Sequence, residues 1–221
     1  MALSPGALMF GVTSADALYL TVGLLAAWPL ARGMRVTGSV ALALASFFAW
    51  SLLAIGAWAA LLALLRRGRR DAFVLAAACG VALVAFYAAL HAVTGFDPIG
   101  TVRATEQVYR EGVASMRPYW YWVLGSPVGF LLVLGLPISW LALRELAARS
   151  PEAVAIFAVL AIAAVMGFTK AETERIWLFF APLVCLPAAR ALAARPGLLT
   201  PVLAALAAQA LLHELVFDTV W

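Results

Sequence analysis

Apolar runs this long and this frequent leave a chain few ways to fold. Residues 15–31, 38–65, 72–93, 121–143, 152–168, 177–194 and 198–217 carry almost no charge. Several approach the roughly 20 residues a helix needs to cross a bilayer. A soluble domain is normally about a quarter charged, whereas 12% of these 221 residues are charged and 66% are hydrophobic. A membrane barrel would instead alternate apolar and polar positions over segments of about ten residues, and no such alternation occurs. The expected fold is all-α: one multi-pass transmembrane domain over 1–221, sitting in the cell membrane among its lipids. Cys79 and Cys185 each lie inside an apolar run, without metal-ligand or disulfide spacing. The start, "MALSPGALMFGVTS", lacks the basic region of a signal peptide and reads as the entry to a first span.

Lys and Arg concentrate on the cytoplasmic side of membrane proteins, so "RRGRR", Arg66 to Arg70, sets the orientation. "ARGMRV", with Arg32 and Arg35, also reads as cytoplasmic, yet one apolar run, 38–65, separates the two. A single crossing would put them on opposite sides. As one helix that run would be about 42 Å long at 1.5 Å per residue, more than a crossing needs. A break near "FFAWS", 47–51, turns it into two short helices that go up and return, giving about seven or eight membrane segments in all. One long tilted helix is the alternative. With the break, Arg144, Arg149, Arg190 and Arg195 join the inner set, opposed by Asp71, Glu145 and Glu152. Arg103, Arg110, Arg117, Lys170 and Arg175 fall outside with Asp16, Asp97, Glu106, Glu111, Glu172, Glu174, Glu214 and Asp218. The inner loops are short and nearly featureless, so chemistry is expected on the extracytoplasmic face.

Two outer segments stand out. The loop 94–120 opens with Asp97-Pro98, a helix start in which Asp caps and Pro takes the first position. Ile99, Val102, Tyr109 and Val113 then recur at helical spacing, predicting an amphipathic helix on the membrane surface. Glu106 and Arg110 stand in the favourable i,i+4 order. This helix is either a solvated lid or a substrate-contacting element. "PYWYW", 118–122, fits the aromatic belt of the membrane interface; Trp120 and Trp122 would otherwise form a stacking surface for a sugar or a lipid headgroup.

The second segment, "GFTKAETERIW", puts Lys170, Glu172, Glu174 and Arg175 between two apolar runs. Unpaired in lipid, such groups cost about 2.5–3.5 kcal/mol each. The segment is either an exposed turn or, being made mostly of helix formers, a helix pairing Lys170 with Glu174 and Glu172 with Arg175. In the second case it forms a compact patch. Arg and Lys there suit phosphate, and Glu172 and Glu174 could accept from hydroxyls or serve as a base. Asp16, at the outer start of the first run, either caps that helix or joins the patch. His91 and His213 have no partner at metal-ligand spacing.

"TSADALYLTVGLLAAWPLARG" followed by "GSVALALASFFAWSLLAIGAWAALLALLRR" resembles the middle section of GT-C type membrane glycosyltransferases. "GFTKAETERIWLFFAP" is similar to a motif of GT-C-like membrane proteins of actinobacteria, and an Ala-, Arg- and Leu-rich composition suits a high-GC genome. The resemblance implies transfer of a sugar from a polyprenyl-phosphate donor to an acceptor outside the cytoplasm. Lys170 and Arg175, with Arg103 or Arg110, would hold the donor phosphate, while Glu172 and Glu174 would orient hydroxyls. Family members place their catalytic acid in the first outer loop of an N-terminal half. This chain reads as the part after that half, so either a longer product or a partner chain would supply the base, or catalysis is absent. No metal, cofactor or nucleic acid is expected. Two other classes stay open: a small transporter or lipid flippase, and a non-catalytic assembly subunit.

Overall fold

Continuous apolar sequence with few β-branched runs forms helix wherever Gly, Pro or a buried turn does not interrupt it. The computed structural model of the chain describes residues 1, 3–11, 14–170 and 172–216, without the side chain of Val113; Asp218 lies outside these residues. Among them the secondary structure is helical throughout, without strands. The α-helices are α1 Pro5–Phe10, α2 Asp16–Ala31, α3 Arg35–Phe48, α4 Leu53–Arg67, α5 Arg69–Thr94, α6 Pro98–Glu111, α7 Tyr119–Leu134, α8 Leu136–Ala147, α9 Pro151–Met166, α10 Thr173–Ile176, α11 Ala181–Ala193 and α12 Leu199–Val216.

The run 38–65 does not continue as one helix. Ala49 is extended (φ −157°, ψ 128°), and a 3₁₀ turn over Trp50–Leu52 leads into α4. Arg35, at the start of α3, bonds Asp71, just past the end of α4, at 2.6 Å. A single straight helix would hold those two residues about 54 Å apart. The chain therefore reverses. Ser39 meets Cys79 at 3.4 Å and Ser46 meets Tyr87 at 3.0 Å, so α3 and α5 run parallel on either side of the return.

The run 121–143, expected as one span, is instead two helices bent by 118° at Gly135. With φ at +115°, this position suits a residue without a Cβ, and an added Cβ would sit 2.3 Å from Leu206 Cδ2. A break in apolar surroundings must have its freed backbone groups satisfied by neighbours. Gln209 of α12 does so: its side-chain oxygen accepts from the Leu136 N–H at 2.8 Å, and its amide donates to the Leu132 carbonyl at 2.8 Å. Ser139 donates to the Leu131 carbonyl at 2.6 Å.

The core lies where α2, α4, α9 and α11 meet. Much of it is alanine: Ala26, Ala45, Ala59, Ala63, Ala153, Ala155 and Ala188 are all buried. Small residues let helix backbones approach closely, which is how helices associate where lipid removes the hydrophobic drive between them. Trp58, Phe130, Trp177 and Phe180 fill the remaining space. Large apolar side chains point outward instead, among them Phe73, Val81, Val84 and Leu215, each more than two-thirds exposed. Such continuous apolar exposure is compatible with a lipid surrounding. Among the described residues three helical segments are long and apolar enough to cross a membrane, Trp50–Arg67, Arg69–Thr94 and Pro196–Val216; the bent pair α7 and α8, counted as one span, makes four. Asp16–Ala31, Arg35–Phe48, Pro151–Met166 and Leu178–Ala193 are apolar but shorter.

Candidate functional site

The segment after α9 is not the helix its composition allows. Gly167 ends α9 at φ +64°, and Glu172 is left-handed at φ +56°, so only one α-helical turn, α10, forms before the 3₁₀ turn at Leu178–Phe180. A non-glycine residue in that region is uncommon and persists where its surroundings hold it. Here they do. The Thr173 hydroxyl donates to the Ser126 carbonyl of α7 at 3.1 Å, and the Trp177 indole donates to the Thr169 hydroxyl at 3.0 Å. Both Thr173 and Trp177 are fully buried.

Pinned in this way, the loop presents its charges to three other segments. The Arg175 guanidinium bonds the Glu172 carboxylate at 2.7 Å, and its Nε lies 3.6 Å from the Asp16 carboxylate. That Nε is buried with no hydrogen bond closer than this contact. Glu172 also faces the Arg117 guanidinium at 3.7 Å. Asp16 does not act as a side-chain cap. Ala15 holds the cap position of α2, and Asp16 turns its carboxylate towards Arg175 instead. Asp16, Arg175, Glu172 and Arg117 thus form one chain of alternating charge linking the start of α2, the 169–177 loop and the entry to α7.

Lys170 is held differently. Its ammonium donates to the carbonyls of Ala114 at 3.1 Å and Arg117 at 3.3 Å. Its backbone N–H donates to the Tyr109 hydroxyl at 2.7 Å, and Arg117 donates to its carbonyl. Among the described residues no carboxylate pairs with it. Lys170, Arg117 and Arg110 line a cleft of about 510 Å³ together with Tyr109, Ser115 and Tyr119. Among the described residues no carboxylate lines this cleft, although Arg110 is paired with Glu106 on its own helix at 2.7 Å.

The two outer segments therefore meet, but not every expected residue joins them. Asp16, Lys170, Glu172 and Arg175 converge, and Arg110 reaches the cleft. Lys170 and Glu174 do not pair, because the left-handed turn at Glu172 takes them off a common helical face. Glu174 has no ionic or hydrogen-bonding partner among the described residues and lies beside Gly129 of α7. Arg103 is solvent-exposed on α6, away from the cleft lining. Trp120 is 80% exposed, as an interfacial belt residue would be. Trp122 lies beneath Arg117, 6.0 Å from its guanidinium carbon. The residue that links the two segments is Arg117, and sequence spacing did not single it out. It sits between an amphipathic helix and an aromatic run, and only the fold brings it against Lys170.

The opposite end of the bundle is not featureless either. Glu152, at the start of α9, is buried and bonded by Arg66 of α4 and by Arg190 of α11, the latter at 3.1 Å. Arg190 also lies 3.9 Å from Glu145 of α8. The length of α9, about 24 Å for its 16 residues, separates this cluster from the Lys170 cleft. Among the described residues no group of three His, Cys, Asp or Glu gathers into a metal site. Compared with known protein families, with curated proteins and with solved structures, the chain matches none.

Proposed function

We propose that this is a multi-pass membrane protein of seven or eight segments whose cleft receives the phosphate-bearing headgroup of a lipid on the extracytoplasmic side. The observation that carries this reading is the Lys170 ammonium: fixed by two carbonyls, unmatched by any described carboxylate, and open to the cleft. A fixed cation with a free donor suits a phosphate oxygen, and Arg117 adds a guanidinium beside it. Glycosyl transfer from a polyprenyl-phosphate sugar is the finer form of the proposal. The cations would then stabilise charge developing on the leaving phosphate. Among the described residues lining the cleft there is no carboxylate, and Asp16 and Glu172 are engaged by Arg175. That is consistent with a partner chain completing the reaction.

The test is labelling by a photoreactive polyprenyl-phosphate sugar. Lys170→Ala is expected to reduce labelling about tenfold or more, as for loss of a charge-assisted hydrogen bond, with membrane insertion unchanged. Labelling equal to that of the parent protein would overturn the reading. One observation favours transport instead: Glu174 is a half-buried carboxylate without a partner among the described residues, set beside Gly129 about 15 Å along α7 from Tyr119. Ionisable groups inside a membrane commonly mark ion or proton paths. Loss of substrate-coupled proton uptake in Glu174→Gln vesicles, with labelling intact, would favour that alternative.

A further inference from the structure

α6 is the least anchored helix at the cleft. None of its residues is buried, and Ile99 and Val108 are 63% and 73% exposed. Its ion pair and its side-chain amide bond, Arg110 with Glu106 and Gln107 with Glu111, are internal to the helix. Among the described residues, the one hydrogen bond from an α6 side chain to a distant segment is at Tyr109, whose hydroxyl accepts from the Lys170 N–H at 2.7 Å. Gly95, in the left-handed region at φ +73°, precedes α6, and Gly112 follows it. Glycine leaves the backbone the widest freedom to rotate, and lids turn on a few such positions at element ends.

We infer that α6 is a hinged lid over the cleft, latched by Tyr109, and that its closure delivers Arg110 as a mobile third cation to the anion held by Lys170 and Arg117. The inference rests on the headgroup reading for its ligand, but the hinge and latch stand on geometry alone. Arg110 suits the task because its one ion-pair partner among the described residues travels with it. Closing the lid brings its guanidinium to the cleft wall without breaking a contact to the body of the protein. A phosphate bridging Arg110 and Lys170 would then hold α6 shut more firmly than one neutral hydrogen bond, since hydrogen bonds to ionised groups are roughly twice as strong. Among the described residues α6 itself has this single bond to the body, while Phe96 before it is held by His91, which donates to its carbonyl at 2.9 Å, and by its ring against Tyr87, so opening breaks the Tyr109 latch and leaves the N-terminal end in place.

Paired spin labels in the full chain, reconstituted in lipid nanodiscs with Cys79 and Cys185 replaced by Ala, test this. One label goes on exposed Val108 of α6 and the other on exposed Leu124 of α7; a control pair joins Leu124 to Val165 of α9. Tyr109→Phe removes the latch and is expected to raise the population at longer Val108–Leu124 distances about two- to tenfold, leaving the control pair still. Geranyl phosphate, as probe, is expected to narrow the parent distribution to the short distance, and Arg110→Ala to abolish that narrowing without changing the resting distribution. A single Val108–Leu124 distance untouched by Tyr109→Phe would overturn the lid. If the probe bound in a Lys170-dependent way while that distance stayed fixed, the lid would fail and the headgroup reading would survive. A latch-dependent distance with no probe binding would remove the headgroup reading and leave the hinge standing.

Discussion

Replacing Gln209 by Leu sets two physical arguments against each other. By transfer free energy alone the change should help, because leucine is favourable and glutamine unfavourable in a membrane helix. The structure argues the reverse. Gln209 provides the only acceptor, among the described residues, for the Leu136 N–H at 2.8 Å, and a second donor to Leu132 O, which otherwise receives the Gly135 N–H at 3.2 Å. Removing the amide therefore orphans one group, not two. Interhelical hydrogen bonds in membranes average about 0.6 kcal/mol, with a maximum near 1.7. An unpaired N–H at a break that cannot relax into helix belongs at or above the upper end, so a loss of about 1–2 kcal/mol is expected. α12 should also loosen, since Leu206 against Gly135 is its one buried side chain. The assay is equilibrium unfolding in mixed micelles followed by helical circular dichroism, together with limited proteolysis of the 194–199 linker. Gln209→Asn keeps the polarity but loses the reach, so it should behave like the leucine variant. If Gln209→Leu matches or exceeds the parent in stability, the break at Gly135 does not depend on this amide and the reasoning fails.

Two further outcomes follow from the charged ends. Glu152→Ala is expected to lower stability by about 1–3 kcal/mol, because it leaves Arg66 and Arg190 facing each other without their shared carboxylate; unfolding in the same micelles checks this, and high salt should recover part of the loss. In a background lacking Cys79 and Cys185, single cysteines at Ser115 and Ala148 should react with a membrane-impermeant maleimide from opposite sides of sealed vesicles. Labelling from the same side would dismantle the orientation on which the cleft's outward placement depends.

How much of this was legible in the sequence depends on which forces act locally. The conflict between Arg32/Arg35 and Arg66–Arg70 could be resolved from charge alone, and it pointed to the segment where Ala49 breaks the helix, because topology follows where cations can reside. Asp97-Pro98 announced α6 because a cap involves neighbours in sequence: Asp97 accepts from Ile99 and Gly100 at 3.0 and 2.9 Å. The bend at Gly135 was hidden, since hydropathy sees 121–143 as one run and cannot see the amide on α12 that makes a break tolerable. A lone Gln in the middle of an apolar helix was a visible signal, but its partner was not. The same applies to Glu172. Helix formers surround it, yet Thr173 bonding to Ser126 and Trp177 bonding to Thr169 outweigh local propensity, and with them goes the expected Lys170–Glu174 pair.

The contrast between the two charged ends supports the proposed placement of the ligand. At the Glu152 end every acid, Asp71, Glu145 and Glu152, is matched by an arginine from another segment, so those contacts tie α3, α4, α5, α8, α9 and α11 into one frame. A matched, buried carboxylate has little left to offer a substrate. At the other end the 169–177 loop keeps two charges without an ionic partner among the described residues, Lys170 at the cleft and Glu174 beside Gly129. Asp16 and Glu172 are taken up by Arg175, with Arg117 bordering Glu172, and Lys170 is left with carbonyls, which orient an ammonium without cancelling it. Holding an uncompensated cation half-buried is costly unless a counter-charge arrives, and the cleft beside Lys170 is where one could arrive from the membrane surface. On the proposed headgroup reading, the arginine and acid chain is the scaffold, and Lys170 beside it is the cation left for the ligand.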